Sequence, residues 1–522
     1  MAPVFNVDRI CQVALSSRIF LLLMQVFFNV LIPDHDAKVF NPPPSQPRRG
    51  IPDYIVELVF GGLRRWDGVY FIHIAEHGYT YENNLAFLPL FPLLVRVTAN
   101  TVCLPLQFFF TYANTLLMSA VAVNLCCFLL SVRVLYKLSI AVLGDDVMAY
   151  RVTQLYCVNP ASVFFMAPYS ESLFALLTFL GMFMCEARCF VKASVCFGLS
   201  AFCRSNGVIN CGFILYLTLH DCVTAAAKKC RLDGGCIDKM QAAKATLSTV
   251  ASSAYRTILC VVICVAPFLL YQFYSYIVFC NPRARPEEID RVVLNYGNKQ
   301  GYKMPHMGPS PWCSSVVPMS YSYIQDKHWD VGFLRYYQWK QIPNFLLAAP
   351  MAILCMSAAW YYIANNLLHS LTLGLLSPAN TTLEYRKKTD TPDTDKTGFL
   401  CGRAYVYIVH MVALLLFALL FMHVQVVTRF IASSSPVIYW YIATVGAPDH
   451  TTQDNIPTMQ RGEDHDIDLS DQWSKRPDKP GSSFEDMQIW DGSSWTVTLI
   501  SVYFPLYFFV GVAAFSNFLP WT

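Results

Sequence analysis

Residues 14–32 read ALSSRIFLLLMQVFFNVLI, and beyond a proline-rich spacer the chain continues with RWD at 65–67 and AEHGY at 75–79. A helix needs roughly 20 apolar residues to cross the hydrocarbon core of a bilayer. The first stretch supplies them. It carries no convincing small-residue cleavage site, so it reads as a retained signal-anchor helix. Asp67 then stands beside the bilayer surface, on the side opposite the N-terminus. A carboxylate held there can take a proton from a polar group on a lipid-borne substrate, which points to an enzyme acting on lipids.

The rest of the chain extends the pattern. Of its 522 residues 55% are hydrophobic, 15% aromatic and only 14% charged, where soluble domains carry about 25% charged residues. Mean hydropathy is +0.39. The expected fold is all-α and polytopic, a single transmembrane domain over 1–522. The net charge of +3 is spread out and leaves no basic face for nucleic acid. Many of the 19 cysteines lie within apolar runs (Cys126, Cys127, Cys185, Cys189, Cys260, Cys264), where they serve as small hydrophobes. Cys230 and Cys236 lie in a loop and are free to pair in an oxidising lumen, but the spacing assigns no bridge.

Further spans are expected at 107–130, 173–189, 255–279, 345–376, 404–422 and 497–515. Two apolar stretches are irregular. Residues 152–168 contain Asn159-Pro160 and suggest a kinked span, while 191–220 is broken by Arg204-Ser205-Asn206-Gly207, as two short helices meeting at a polar tip would be. Interrupted helices survive at membrane depth only where protein or a water-filled cavity covers them. Lys and Arg mark cytosolic loops. Loop 221–254 has Lys228, Lys229, Arg231, Lys239 and Lys244, and loop 377–403 has Arg386, Lys387, Lys388, Lys396 and Arg403. A cytosolic N-terminus satisfies both. It sends a first luminal loop 33–106, the short segments 169–171 and 204–207, a luminal loop 280–344, and 423–496 to the other side. Within the last, 447–496 reads as a polar loop, flexible over 453–494. The sequon Asn380-Thr381-Thr382 falls in a cytosolic loop and is expected to stay unmodified.

Several polar groups share the expected luminal face. Residues 69–79 suit a short helix lying in the interface. Within it His73, Glu76 and His77 spell H-x-x-E-H, a zinc-protease pattern, although no third ligand is evident. The alternative is that both histidines face the interface or a polar substrate group. Tyr169-Ser170-Glu171 opens one helix, Arg204 to Gly207 forms the tip, and 329–344 reads WDVGFLRYYQWKQIPN with Arg335, Tyr337 and Gln341. His423 and Gln425 lead to Arg429. Ionisable groups near membrane depth are costly and mark function. A lipid transporter or scramblase would share such residues, but it would show paired interruptions in two repeated halves, and no such halving is visible.

RWD at 65–67, AEHGY at 75–79, NP at 159–160, YSE at 169–171, RSNG at 204–207, VGFLRYYQWKQIPNF at 331–345, HVQVVTRF at 423–430 and the C-terminal NFLPWT together resemble the GPI mannosyltransferase II family, the phosphatidylinositol-glycan class V enzymes. The resemblance runs from the first span to the last residue. His73 is outside the family pattern, and 453–494 matches no motif. The resemblance implies a multi-span C-type glycosyltransferase (GT-C) fold in the endoplasmic reticulum membrane, with the active site facing the lumen and a catalytic carboxylate in the first luminal loop. It implies transfer of mannose from dolichyl-phosphate-mannose to a mannosyl-glucosaminyl-phosphatidylinositol lipid in α-1,6 linkage, with a small membrane partner subunit in some members. A β-linked donor and an α-linked product mean inversion, so one base suffices. That base is expected to be Asp67. Arg204, Arg335 and Arg429, then His423, are candidates for the leaving phosphate, which needs cations but no metal or other cofactor. Arg65 is expected to orient the base. Glu76, His77 and Glu171 are expected to bind hydroxyls or hold the structure. Trp66, Tyr169 and Tyr337 would stack on sugar, and Asn206, Gln341 and Gln425 complete the binding set.

Overall fold

In the computed structural model the described residues are 7–37, 39–232, 239–281, 289–375, 398–446 and 495–521, and all their regular elements are helical. Six of their helices are long and apolar enough to cross a membrane. The chain is an all-α multi-pass membrane protein.

Helix α1 (Val7–Leu31) is followed by three helices that project from one end of the bundle: α2 (Ile51–Phe60), α3 (Asp67–His77) and α4 (Leu90–Asn100). The short helix expected over 69–79 is α3, two residues earlier at each end. Its Phe71, Ile72 and Ala75 pack with Phe91 and Val95 of α4 and with Leu116 and Ala120 of α5 (Tyr112–Leu143). The α5 helix starts at Tyr112 rather than 107 because Leu104–Phe108 forms a separate 3-10 turn opened by Pro105.

The kinked span expected at 152–168 is α6 (Asp146–Cys157) followed by a break and a 3-10 turn, Ser162–Phe165. Asn159 and Pro160 end the helix, and Arg18 of α1 covers the carbonyls they free. Its guanidinium donates to Cys157 O at 2.6 Å and Ser162 O at 3.0 Å, and it lies 4.1 Å from the centroid of the Phe128 ring. Irregular backbone at depth needs such a donor. Helices α7 (Glu171–Glu186), α8 (Phe190–Cys203) and α9 (Cys211–Leu232) follow, and α8 and α9 meet at a polar 3-10 tip, Ser205–Asn210. Gly207 permits that tip: a Cβ there would overlap the backbone of Ser200 and Ala201.

Helix α10 (Lys239–Cys280) begins well before 255, so most of the expected loop 221–254 continues the helices. The side chains of Lys228, Lys229, Cys230, Arg231, Lys239 and Lys244 lie outside the described residues, as do Cys236, 376–397 with the Asn380 sequon, and 447–494. Helices α11 (Arg291–Gln300) and α12 (Ser320–Trp329) lie at the α3 end of the bundle, where a Cys280–Cys313 disulfide, not assigned from the spacing, ties them to α10. Helices α13 (Ile342–Asn365), α14 (Leu367–Leu371) and α15 (Tyr405–Phe421) complete the central part.

The largest departure from the sequence reading follows α15. Residues 423–446 are not part of a loop on the Asp67 face. They form α16 (Val427–Ser434) and α17 (Val437–Val445), divided at Ser435-Pro436. The α17 helix runs back through the bundle: Trp440 Nε1 donates to Ser139 Oγ at 2.8 Å near the far end of α5, and Tyr441 meets Phe399. Arg403 and Cys401 hold the same end of α5 through the carbonyls of Ala141 and Val142. Two short helices split by a proline cross where the apolar pattern showed no single long run. Helix α18 (Trp495–Ser516) therefore starts at the far face and runs parallel to α1, with Phe20 against Phe508 and Phe509. Both described flanks of the expected luminal loop 447–496 thus lie on the face opposite Asp67.

Candidate active site

Asp67 is the first residue of α3, where exposed helix N–H groups favour a carboxylate. Trp66 turns the chain into the helix at φ 50° and ψ −124°, a sparsely populated conformation for a bulky residue. Three contacts hold it there. The Asp67 N–H donates to Tyr169 Oη at 3.1 Å, Tyr169 Oη donates to Arg65 O at 3.4 Å, and the Trp66 ring lies edge-on to Phe518. Gly68 allows the close approach, since a Cβ would come within 3.3 Å of the Tyr169 ring.

Around Asp67 the fold assembles a row of alternating charges. Arg429 Nη2 donates to Asp67 Oδ2 at 2.9 Å, and Arg429 Nη1 lies 3.6 Å from Glu171 Oε1. Arg204 forms an ion pair with the same Glu171 oxygen. Glu171 is fully buried, Arg204 and Arg429 nearly so, and Asp67 keeps 28% of its side chain exposed. The guanidinium of Arg429 faces the rings of Phe164 and Tyr169 at 5.1 and 5.4 Å, and that of Arg204 faces Phe174 at 5.8 Å. Asn206 Nδ2 donates to Ser434 Oγ at 3.3 Å, joining the tip to α16. Buried polar atoms are nearly always satisfied. Yet here Trp66 Nε1, Arg429 Nε and Glu171 Oε2 have no hydrogen-bond partner among the described residues. Orphaned donors and acceptors gathered beside a half-open carboxylate are what a site for a polar ligand presents.

Asp67, Trp66, Tyr169, Glu171, Arg204, Asn206 and Arg429 are therefore brought together. Arg65 is adjacent and points at other partners: Nε donates to Ser516 O at 2.9 Å, and Nη2 donates to Asn29 at 2.9 Å and Asp34 at 3.0 Å. It anchors the Asp67 turn to α1 and α18.

Other expected members make their contacts with different partners. Glu76 and His77 sit at the opposite end of α3, roughly 13 Å along the axis at 1.5 Å per residue. They line a separate cavity of about 780 Å³ with Arg64, Glu57 and Tyr296. His77 contacts Ser45 at 3.1 Å, and burial pushes the Glu76 carboxyl up although His77 and Arg64 oppose it. His73 is buried, bonded to Thr80 and stacked on Tyr81, and burial with His77 beside it pushes its imidazole down to about 3. No group of three or more His, Cys, Asp or Glu among the described residues is placed to hold a metal ion. Arg335 is taken by Asp326 and Asp330 and is half exposed. Tyr337 rests on Phe345, and Gln341 accepts from Asn344. Gln425 accepts from Tyr336 at 2.9 Å, while His423 bonds Trp329 O at 2.6 Å and stacks on Tyr336. These residues stitch 329–345 to the start of α16.

The sequence reading missed Glu82. It is buried between α12 and the 3-10 turn Pro311–Ser314, accepting from Trp312 Nε1 at 3.1 Å and Lys327 Nζ at 3.3 Å, with His328 at 4.0 Å. Burial alone would raise its pKa, but these donors and charges hold it down to about 2. A glutamate in an unremarkable polar stretch gives no pattern to read. A smaller apolar cavity of about 340 Å³ opens between α3, α4 and α10, lined by Ile74, Tyr79, Leu93, Phe202, Tyr271 and Tyr274.

A family model described as Mannosyltransferase (PIG-V) matches residues 7–522. The chain is 37% identical to GPI alpha-1,6-mannosyltransferase 2 of Mus musculus and 37% identical to that of Homo sapiens, over 98% of both chains in each case. It is 31% identical to GPI mannosyltransferase 2 of Drosophila melanogaster, over 99% of this chain and 100% of that one. Among solved structures it aligns, at 11% identity and a TM-score of 0.42, with the archaeal oligosaccharyltransferase AglB from Archaeoglobus fulgidus in complex with an inhibitory peptide and a dolichol-phosphate, covering 98% of this chain and 56% of that one.

Proposed function

Because the chain belongs to the PIG-V family of mannosyltransferases, we propose that Asp67 is the base of a mannosyl transfer whose leaving phosphate is received by Arg204 and Arg429. The protein is a mannosyltransferase that adds mannose to a GPI intermediate. The finer reading is transfer from dolichyl-phosphate-mannose, within a GT-C fold, to the 6-hydroxyl of the acceptor's mannose, giving the α-1,6 bond that the mouse and human relatives' names carry.

The observation that supports it is the Asp67–Arg429 contact at 2.9 Å. In an inverting displacement the acceptor oxygen bonds to the anomeric carbon as the bond from that carbon to the phosphate oxygen breaks. The hydroxyl proton goes to Asp67 and the electron pair to the phosphate. As Asp67 is neutralised, the phosphate gains the charge Asp67 loses. Arg429, which touches Asp67 in the ligand-free site and lies in reach of the same space, meets the phosphate as that charge builds on it. An interaction that strengthens only as the reaction proceeds is the kind that raises rate. The Phe164 and Tyr169 rings hold the Arg429 guanidinium in place, and the apolar cavity beside Phe202, two residues before Arg204, suits the hydrocarbon chain of a lipid substrate.

The Cys280–Cys313 disulfide lies on the Asp67 face. Disulfides form in oxidising compartments, which supports a luminal site in the endoplasmic reticulum membrane. A small membrane partner subunit belongs to the same reading.

The test compares wild type with Asp67→Asn at equal protein levels, in membranes lacking this activity and supplied with dolichyl-phosphate-mannose and a one-mannose GPI lipid. Product from wild type alone supports the assigned base. Equal product from both moves the base elsewhere.

A further inference from the structure

We infer that Glu171 is the positioning residue of this site, holding Arg204 and Arg429 side by side as one clamp for the phosphate of the lipid-linked donor. The inference rests on the transferase reading above and concerns a residue that the reaction itself does not require.

Glu171 begins α7, directly after the Tyr169-Ser170 turn, and its carboxylate has no exposed surface. A buried carboxylate is costly unless it is paired. Its pairing here is double: Arg204 from the tip between α8 and α9, and Arg429 from α16, 3.6 Å away. The two arginines come from separate elements, and both reach the same Glu171 oxygen. Without an anion between them, two guanidinium groups in a low-dielectric site repel. Glu171 removes that repulsion and fixes their spacing.

The arrangement also explains how Arg429 can let go of the base. In the ligand-free site Arg429 is bound to Asp67 Oδ2. That oxygen's lone pair is then occupied and is not free to take the acceptor's proton. When a phosphate arrives, Arg429 can turn its donors from Asp67 to the phosphate and remain anchored on Glu171. Its Nε–H, which has no partner, supplies a further donor, and Glu171 Oε2, which has none either, leaves room for that shift. Tyr169 Oη meanwhile keeps the Asp67 backbone fixed. Donor binding then both seats the sugar and frees the carboxylate.

Glu171 never touches the reacting atoms in this scheme, so its loss acts through the arginines. Initial rates are measured for wild type, Glu171→Gln and Glu171→Asp in membranes, varying donor and acceptor separately. Glu171→Gln is expected to raise the donor KM about ten-fold or more and the acceptor KM by less than about two-fold. Glu171→Asp keeps the charge and is expected to recover most of the donor affinity. Inhibition by dolichyl phosphate follows the same order, and uncharged dolichol inhibits none of the three. An unchanged donor KM in folded Glu171→Gln, or an equal rise in both KM values, overturns the inference. If Glu171→Gln does not accumulate, Glu171→Asp decides alone: its shorter side chain must still raise donor KM selectively. Wild type that transfers no mannose refutes the function, not the clamp, and thermal protection by dolichyl phosphate, stronger in wild type than in Glu171→Asp, then tests the clamp without turnover.

Discussion

Arg429 donates to Asp67 at 2.9 Å across 362 residues of sequence. The contact joins α3 to α16, and it pairs the proposed base with a cation able to meet the charge that passes to the phosphate.

Arg429→Ala leaves Asp67 without its cation and Arg204 as the sole partner of Glu171. The expected outcome is a fall in kcat of about a hundred-fold or more, the scale of losing a donor that acts on developing charge. Arg429→Lys keeps the charge but not the planar fork that reaches two anions, and it is expected to recover only part of the rate. Steady-state kinetics on equal amounts of folded protein measure both. A lysine variant at wild-type rate would show that only the charge matters.

Much of the bundle was legible because membrane helices must be long and apolar and because broken ones leave polar residues where hydrocarbon should be. That is why the tip at Arg204 and the kink at Asn159-Pro160 could be read. What escaped were contacts that span hundreds of residues. Arg18 sits inside an apolar run and its targets are carbonyls near Cys157, which no pattern announces. The site separated for a related reason: YSE, RSNG and HVQVVTRF converge on Asp67, whereas AEHGY, on the same helix as Asp67, is carried along its axis to a different cavity.

Arg18 gives a prediction of a different kind. It donates to Cys157 O and to Ser162 O within the bundle. Arg18→Leu would leave both carbonyls unpaired in a dry interior, at about 1–3 kcal/mol for each unsatisfied group. The expected result is a lower unfolding temperature in detergent and reduced abundance, with the KM values of the surviving protein little changed. A selective rise in donor KM would instead place Arg18 in the transport or binding path of substrate.

Glu82 predicts acid sensitivity of the lobe built on α12. Its pKa is held near 2, below the ordinary 4.5. A carboxyl whose folded pKa is depressed adds stability above its unfolded value, and that contribution is lost as pH falls through the window down to the folded value. The lobe is therefore expected to loosen between about pH 4.5 and pH 2, reported by proteolysis near Trp312 or by amide exchange in Ser320–Trp329. Glu82→Gln should be less stable than wild type at pH 7 and lose much of this acid dependence. Identical acid profiles would remove Glu82 as the cause.

The course of α16 and α17 makes the last prediction. A chain that ended its last crossing but one with α15 would keep everything from 423 to 496 on the Asp67 face. The Trp440–Ser139 hydrogen bond and the Tyr441–Phe399 contact instead carry α17 to the opposite face, and α18 returns beside α1 to bring Ser516 to Arg65. Asp67 and the end of α18 then share a face, while 446 and 495 share the other. A glycosylation acceptor sequence appended after the chain's end should be modified in microsomes, provided the Asp67 face is luminal. One inserted between 446 and 495 should not be, and Asn380 should stay bare. A control acceptor in the first loop, between 36 and 48, reports the Asp67 face independently of α17. Modification of the 446–495 insertion together with that control would mean that α17 turns back before the far face, and the hydrogen bond from Trp440 to Ser139 would then be the contact to discard.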